Sequence, residues 1–354
     1  MIPPAIQAEK KMPGSPAPRA ETEAVLNIPM PMTSPTTIIV KSNRLSRCPA
    51  FMSVNIVELF KGPRANRQNS IYFAAMNAPH LKSLLKKMGI YHPLQTSWRS
   101  ARGFVTALYY RINYSKYRGK GFVCNFCDAV YEKFVPEYPS PEIEKAIHSN
   151  HVIAGFGENV FCPRCGSKNR ERLLKAVIGT WLKIDGKKIL HFSPEKNLYR
   201  FLKTTASVTT VDISPGFYRH IDKTIAYADA TRLPFEDKTF DIVIANHILE
   251  HIPEDHLAMK EMYRVLKDDG MAIVQVPYSM TLAQTIEDPF INDPARQAER
   301  FGQHDHVRIY ARNDYLKRLE TAGFRIRVLE SEDLTPFSIH AIQQEEAVFL
   351  GYKK

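Results

Sequence analysis

The sequence predicts an α/β fold: a doubly wound parallel sheet preceded by a small cysteine-knuckle unit. Three observations carry that expectation. Apolar runs at Ile189 to Phe192, Val208 to Ile213 and Ile242 to Ala245 are separated by helix-period or turn segments, the pattern of consecutive β-α-β units. Each run ends on a polar residue, and ligands of an open α/β sheet sit outside the carboxyl ends of its strands. His191, Ser193, Asp212, Asp229, Asn246 and His247 are therefore candidates to face one crevice. Ahead of the sheet stand two C-x-x-C pairs, at 124 to 127 and 162 to 165, with 34 residues between them.

The 354 residues leave room for one full α/β domain and one smaller unit, and 44% apolar composition is ordinary for a globular protein. No apolar run approaches the length of a membrane span, and the N-terminus lacks an apolar core followed by a small-residue cleavage site, so the expected location is cytoplasmic. The net charge of +11 is uneven. Residues 1 to 187 hold 27 Lys+Arg against 12 Asp+Glu, or +15, whereas 188 to 354 hold 21 against 25, or −4. A basic front half suits nucleic acid, anionic lipid or a phosphorylated substrate; a merely solvated basic face has the same composition.

In chain order, residues 1–51 are rich in proline and poor in aromatics, a composition that does not offset its ordering entropy, and a disordered tail is expected there. Met52 opens a more protein-like segment and is an alternative start. Residues 52–120 read as basic and partly helical. Leu81, Leu84, Leu85 and Met88 share one helix face, and Arg99 to Lys120 interleave with Phe104, Tyr109, Tyr110, Tyr114 and Tyr117. Residues 121–172 read as a zinc ribbon: Cys124, Cys127, Cys162 and Cys165 supply the four thiolates of a closed, structural Zn²⁺ site, with a redox dithiol or two disulfides as rivals. Cys48 falls in the tail as a bystander.

Residues 173–354 hold the sheet. Leu173, Leu174, Val177, Ile178, Trp181 and Leu182 form two rows on one helix face, ended by Asp185-Gly186. The loop after the first strand reads H-F-S-P-E in place of a glycine-rich turn, with Ser193 and Pro194 as the tight turn and Glu195 opening the next helix. Asp212 has the position and charge to hold both hydroxyls of a ribose. Asp229 either accepts from an exocyclic amine such as that of adenine or caps its own loop. Residues 279–310 read as a lid-like insert at the carboxyl edge of the strand Met271 to Val276. His247, His251, His304 and His306 are the imidazoles available as a base, with His251 read as structural. His306 is the leading candidate, on a strand-like lid edge whose alternation puts Arg308, an anion clamp, on the same face; a surface salt-bridge cluster of Asp305, His306 and Arg308 is the alternative. A last helix capped at Asn313 and Asp314 ends at Gly323, followed by strands at Arg325 to Leu329 and Ala347 to Tyr352.

The stretches V-D-I-S, A-D-A-T-R-L-P-F-E-D-K-T-F-D-I-V, N-H-I-L-E-H-I-P-E-D, M-Y-R-V-L-K-D-D-G and A-G-F, in that order over about 187–330, resemble class I S-adenosylmethionine-dependent methyltransferases. A narrower resemblance is to bacterial methyltransferase-like proteins that join a two-knuckle zinc ribbon to I-L-H-F-S-P-E and end in F-G-Q-x-D-H-V-R-x-Y, here Phe301 to Tyr310. The resemblance implies a Rossmann-like doubly wound methyltransferase sheet with a small N-terminal zinc-ribbon unit, S-adenosylmethionine as cofactor and a structural Zn²⁺. It implies that Asp212 binds the cofactor ribose, that Asp229 meets its adenine side and that Asn246 and His247 line the methyl-transfer pocket. Ser193 and Glu195 stand where the family has glycines, and Glu195 either pairs with the cofactor's ammonium group or caps its helix. The expected cofactor set is His191, Phe192, Ser193, Pro194, Glu195, Asp212, Ile213, Asp229, Ala230 and Asn246, with His306, Arg308 and His247 on the catalytic side. The expected acceptor is a sugar- or lipid-linked small molecule. The rivals are an RNA methyltransferase using the basic front half and a binding protein that kept the fold without catalysis; a nicotinamide dehydrogenase is disfavoured by the missing pyrophosphate-binding glycines.

Overall fold

The structure, a computed structural model, describes residues 103–343 and 345–353. The expected tail over 1–51, the helix face from Leu81 to Met88 and the basic stretch up to Arg102 lie outside the described residues. A helix over 103–113 (α1) leads into β1 (Arg118–Val123), which pairs antiparallel with β2 (Val130–Tyr131) around the first cysteine pair. After β3 (Val135–Glu137), α2 (Pro141–Ser149) starts with proline in its first turn, where a missing N–H costs nothing. Next come β4 (Val152–Ile153) and β5 (Gly157–Phe161), the antiparallel partner of β3.

The second cysteine pair runs into α3 (Asn169–Trp181), whose Leu173, Leu174, Val177 and Ile178 are buried as the periodicity predicts. The helix ends at Trp181, short of Asp185-Gly186. Gly186, at φ 69°, instead turns the chain into β6 (Lys188–Phe192). The order continues with α4 (Lys196–Leu202), β7 (Ser207–Asp212), β8 (Ala226–Tyr227), β9 (Phe240–Asn246), α5 (Asp255–Val265) and β10 (Leu266–Gln275). After β11 (Tyr278–Ser279), whose second residue opens the stretch 279–310, come β12 (Ile286–Glu287), α6 (Pro294–Phe301) and β13 (Arg308–Ala311). Asp293 starts α6 by accepting from the N–H groups of Ala295 and Arg296 at 2.9 and 3.1 Å, and Gly302 at φ 80° ends it. The chain closes with α7 (Arg312–Thr321), β14 (Arg325–Leu329), the short α8 (Ser331–Leu334) and β15 (Val348–Tyr352).

Seven strands form one sheet in the order β14-β15-β10-β9-β6-β7-β8. The five from β8 to β10 run parallel, and β15 is antiparallel to both its neighbours. Both faces are covered, so alternate residues of one strand enter opposite cores. Leu190, Val243, Ala245, Ala272 and Val274 pack against α5 and α7; Ile189, Ile242, Ile244, Met271 and Ile273 pack against α3 and α4. This is why the runs read as continuously apolar. From β6 the chain moves outward to β7 and β8, then returns to β9 on the other side. The topological switch point therefore lies between β6 and β9.

A second sheet, β12-β13-β11-β4, joins the insert to the segment between the two cysteine pairs, and α2 packs on α6, with Ile147 against Gly302. The expected lid edge is corrected here. Arg308, Ile309, Tyr310 and Ala311 are all buried, and β13 has strands on both sides. The alternation in D-H-V-R-I-Y resembles a half-exposed edge only because Arg308 is polar.

Candidate functional site

The carboxyl ends of β6, β7 and β9 open into one cleft of about 890 Å³. Phe192, Ser193, Asp212, Ile213, Asp229 and Ala230 line it, together with His247, His306 and Arg308. His191, Pro194, Glu195 and Asn246 are not among its lining residues and stand behind the wall. His304, exposed, also lies outside it.

At the end of β6 the backbone of Ser193 adopts φ 43°, in the left-handed region that glycine usually occupies. Its N–H donates to Val211 O at 2.9 Å, and its hydroxyl donates to Asp212 Oδ2 at 2.5 Å. Asp212 Oδ1 accepts from the Ser214 N–H at 2.6 Å. Each carboxylate oxygen keeps a second lone pair for another donor. Asp229 Oδ1 accepts from the Thr231 N–H at 2.9 Å and its hydroxyl at 2.7 Å, so this oxygen caps the loop.

Glu195 holds the N-cap position of α4, yet its side chain makes no cap hydrogen bond. The N–H groups of Asn197 and Leu198 reach Glu171 Oε1 at 3.1 and 3.4 Å, and Glu171 Oε2 accepts from Lys168 N at 2.8 Å. One buried carboxylate of α3 thus caps two helices, which corrects the expectation that Glu195 does so for its own. Glu195 instead accepts from Asn246 Nδ2 and, at 3.2 Å, from His191 Nε2, and lies 3.7 Å from Arg170 Nε. Burial raises its pKa, but His191 and Arg170 outweigh this and hold the carboxyl below its ordinary value. His191 Nδ1 and Asn246 Oδ1 are buried without hydrogen-bond partners within the chain.

Opposite this polar layer, Glu250 is 1% exposed. Its Oε1 lies 3.4 Å from His247 Nδ1, 3.9 Å from His306 Nε2 and 4.0 Å from His251 Nε2. His247, at φ 57°, turns the chain sharply after β9 and so aims its ring back at Glu250. His251 Nδ1 is 3.3 Å from Asp305 Oδ1, and the His251 and His306 rings cross edge to face at 4.6 Å. Burial raises the Glu250 carboxyl, but the three imidazoles bring it down to about 2. Burial lowers His251, yet Asp305 and Glu250 lift it to about 9, while burial pushes His306 down to about 4. Sequence reasoning missed Glu250, since a carboxylate inside L-E-H-I-P shows no partner until the fold brings up residue 306.

Arg308 does not act as an anion clamp in this arrangement. It is 1% exposed and donates to the carbonyls of Leu249 at 2.8 Å, Ile252, and Pro253 at 2.8 Å, and to Glu287 Oε2 at 3.1 Å. Residues from the front half complete the cleft, namely Lys168, Asn169 and Arg170 at the start of α3, with Ile147 and Phe156. The polar run S-K-N-R-E-R before the apolar rows was the one available signal for them.

The four cysteine sulfurs converge within 4.8 Å of one another. Cys124 Sγ lies 3.6 Å from Cys165 Sγ and Cys127 Sγ 3.7 Å from Cys162 Sγ, with no disulfide formed. The two turns are built alike. Asp128 N donates to Cys124 O at 2.8 Å with φ 56°, and Gly166 N donates to Cys162 O at 2.9 Å with φ 71°. Four sulfurs about 2.3 Å from a tetrahedral centre stand about 3.8 Å apart, so this donor set fits a Zn²⁺ ion. Among the described residues no helix is long and apolar enough to cross a membrane.

Residues 194–274 match the family model of a methyltransferase domain. Demethylmenaquinone methyltransferase of Bacillus pumilus is 37% identical over 73 residues, 21% of this chain and 30% of that protein. The sterol 4-C-methyltransferase strm-1 of Caenorhabditis elegans is 48% identical over 50 residues, 14% of this chain and 15% of that protein. The chain thus spans about a third or less of the length of these curated relatives. An S-adenosylmethionine-dependent methyltransferase structure from Mesorhizobium loti aligns with 51% of this chain and 96% of its own, at 15% identity and a TM-score of 0.38. The family match runs from the end of the first β-α turn through most of β10, and over that stretch the chain is similar to a methyltransferase domain.

Proposed function

We propose that this chain transfers the methyl group of S-adenosylmethionine to a small acceptor with an apolar body, sugar- or lipid-linked, seated in the cleft. The observation that carries the reading is the meeting of Ser193, Asp212 and the Asn246-His247 turn at the switch point of a methyltransferase sheet. Asp212 is the residue for the cofactor's ribose, since both its oxygens are fixed by Ser193 and Ser214 and keep lone pairs for hydroxyl donors. When bound, the cofactor supplies an activated methyl group on a sulfonium with a good leaving group, and alignment and exclusion of water are what remain for the protein. Ile147, Phe156, Ile213, Ile248, Phe301 and Ile309 give the cleft its apolar wall. The relatives named for demethylmenaquinone and sterol acceptors support a lipophilic substrate. An acceptor hydroxyl has His247 and His306 on the same side to take its proton.

The four-cysteine unit holds one structural Zn²⁺ in this reading, supported by the 3.6 and 3.7 Å sulfur separations and the paired turns. Reduced thiols suit the cytoplasm. Calorimetry tests the main proposal. S-adenosylmethionine should bind, and Asp212→Ala should weaken it by about 1 to 3 kcal/mol, more than Glu195→Ala does. Cofactor binding untouched by Asp212→Ala and abolished by Glu195→Ala would overturn the assignment.

A further inference from the structure

Three imidazoles converge on a carboxylate, that of Glu250, that makes no full hydrogen bond, its nearest partner being His247 Nδ1 at 3.4 Å. Both oxygens of Glu250 are buried without a hydrogen-bond partner, although a buried carboxylate is costly unless it is paired or bound to metal. His247 Nδ1 alone approaches Oε1, at 3.4 Å, whereas His251 and His306 present Nε2 to it at 4.0 and 3.9 Å, longer than a charge-assisted hydrogen bond. One ligand atom from each of Glu250, His251 and His306 lies within 4.8 Å of the others. Ligands about 2.1 Å from a tetrahedral ion stand about 3.4 Å apart, so the three groups need to close by well under an ångström or so each. The outer shell is present as well. Asp305 Oδ1 stands 3.3 Å from Nδ1 of His251, the carboxylate–histidine arrangement that fixes the tautomer and turns Nε2 toward a metal.

We propose that Glu250, His251 and His306 form a binding site for a first-row divalent ion, of the two-imidazole, one-carboxylate type that suits Zn²⁺, Fe²⁺ or Co²⁺. All three residues line the cleft, so the positions they leave open face it and can take an oxygen of the acceptor. That last step rests on the methyltransferase reading of the cleft, whereas the site itself does not. His306 becomes a ligand, and His247 is left as the imidazole for the acceptor's proton.

The full chain, purified without chelator and equilibrated with excess Co²⁺, is expected to hold two divalent ions, one in the thiolates and one outside them. Cobalt in the second site gives visible absorption without sulfur-to-metal charge transfer. Asp305→Asn, a change at an exposed carboxylate, should weaken that cobalt by about 10- to 100-fold, and His306→Gln should remove it while the thiolate-bound ion stays. No cobalt beyond the thiolate set in the native chain would overturn the site, as would cobalt indifferent to both substitutions. S-adenosylmethionine titrated into the same samples separates the two readings. Cofactor bound without the second ion overturns only the metal site; the ion bound without cofactor supports the site and overturns the methyltransferase reading.

Discussion

Ser193 ties the end of β6 to the end of β7 by donating its hydroxyl to Asp212 Oδ2 at 2.5 Å, from a backbone held at φ 43°. A serine thus occupies a conformation that favours glycine, and the hydrogen bond offsets part of that strain. Ser193→Ala keeps the strain and loses the bond, and should cost about 1 to 3 kcal/mol. Ser193→Gly loses the bond but relaxes the backbone, so its loss should stay within about 1 kcal/mol. Urea unfolding of the two variants checks this; equal losses would mean that the left-handed φ carries no cost here.

Glu195 makes stability depend on pH in one direction. Its folded pKa is held below the ordinary 4.5 by His191 and Arg170 against burial. The contribution is therefore present above that value and lost as pH falls through the depressed one. The difference in unfolding free energy between the native chain and Glu195→Gln should be largest near neutrality and shrink in acid below about pH 4.5. A gap that widened on acidification would show that the carboxyl is neutral in the folded protein.

The sheet was legible because its strands are buried on both faces: Ile189 to Phe192 and Ile242 to Ala245 have no solvent side to blur the pattern. The cysteine pairs were legible because their spacing is local. The cleft's other wall was not, since Val152, Pro277 and Ile309, which line it, come from segments far apart in the chain that meet only through two-residue strand pairings. For the same reason Arg308 read as a clamp: its acceptors, the carbonyls of Leu249, Ile252 and Pro253, carry no side-chain signature.

Arg172 couples the cysteine unit to the end of the chain. Its guanidinium, fully buried, donates to the carbonyls of Asn159, Val160 and Ser167 on one side and of His340 and Ala341 on the other. Arg172→Met removes every donor and leaves buried carbonyls unsatisfied, a loss of about 3 kcal/mol or more. Zinc should also leave such a variant faster when a chelator is added. Unchanged unfolding with unchanged release would show that water replaces the guanidinium at no cost.

Arg308 and His247 separate support from chemistry within the same cleft. Arg308 holds the turn after β9 through three carbonyls and reaches Glu287 at 3.1 Å, so its donors are already engaged. Lysine keeps the positive charge but cannot make the same planar set of bonds. Arg308→Lys should therefore lower the unfolding midpoint, while the folded fraction keeps the acceptor KM of the native chain. His247 sits at the cleft with Nε2 buried and without a hydrogen-bond partner, beside Glu250 at 3.4 Å. His247→Ala should lower turnover by about 10²-fold or more if this imidazole takes the acceptor's proton, with S-adenosylmethionine affinity nearly unchanged. Steady-state kinetics with calorimetry on both variants decides the matter. A raised acceptor KM in Arg308→Lys at full folding would restore the clamp, and unchanged turnover in His247→Ala would take the proton-accepting role from that residue.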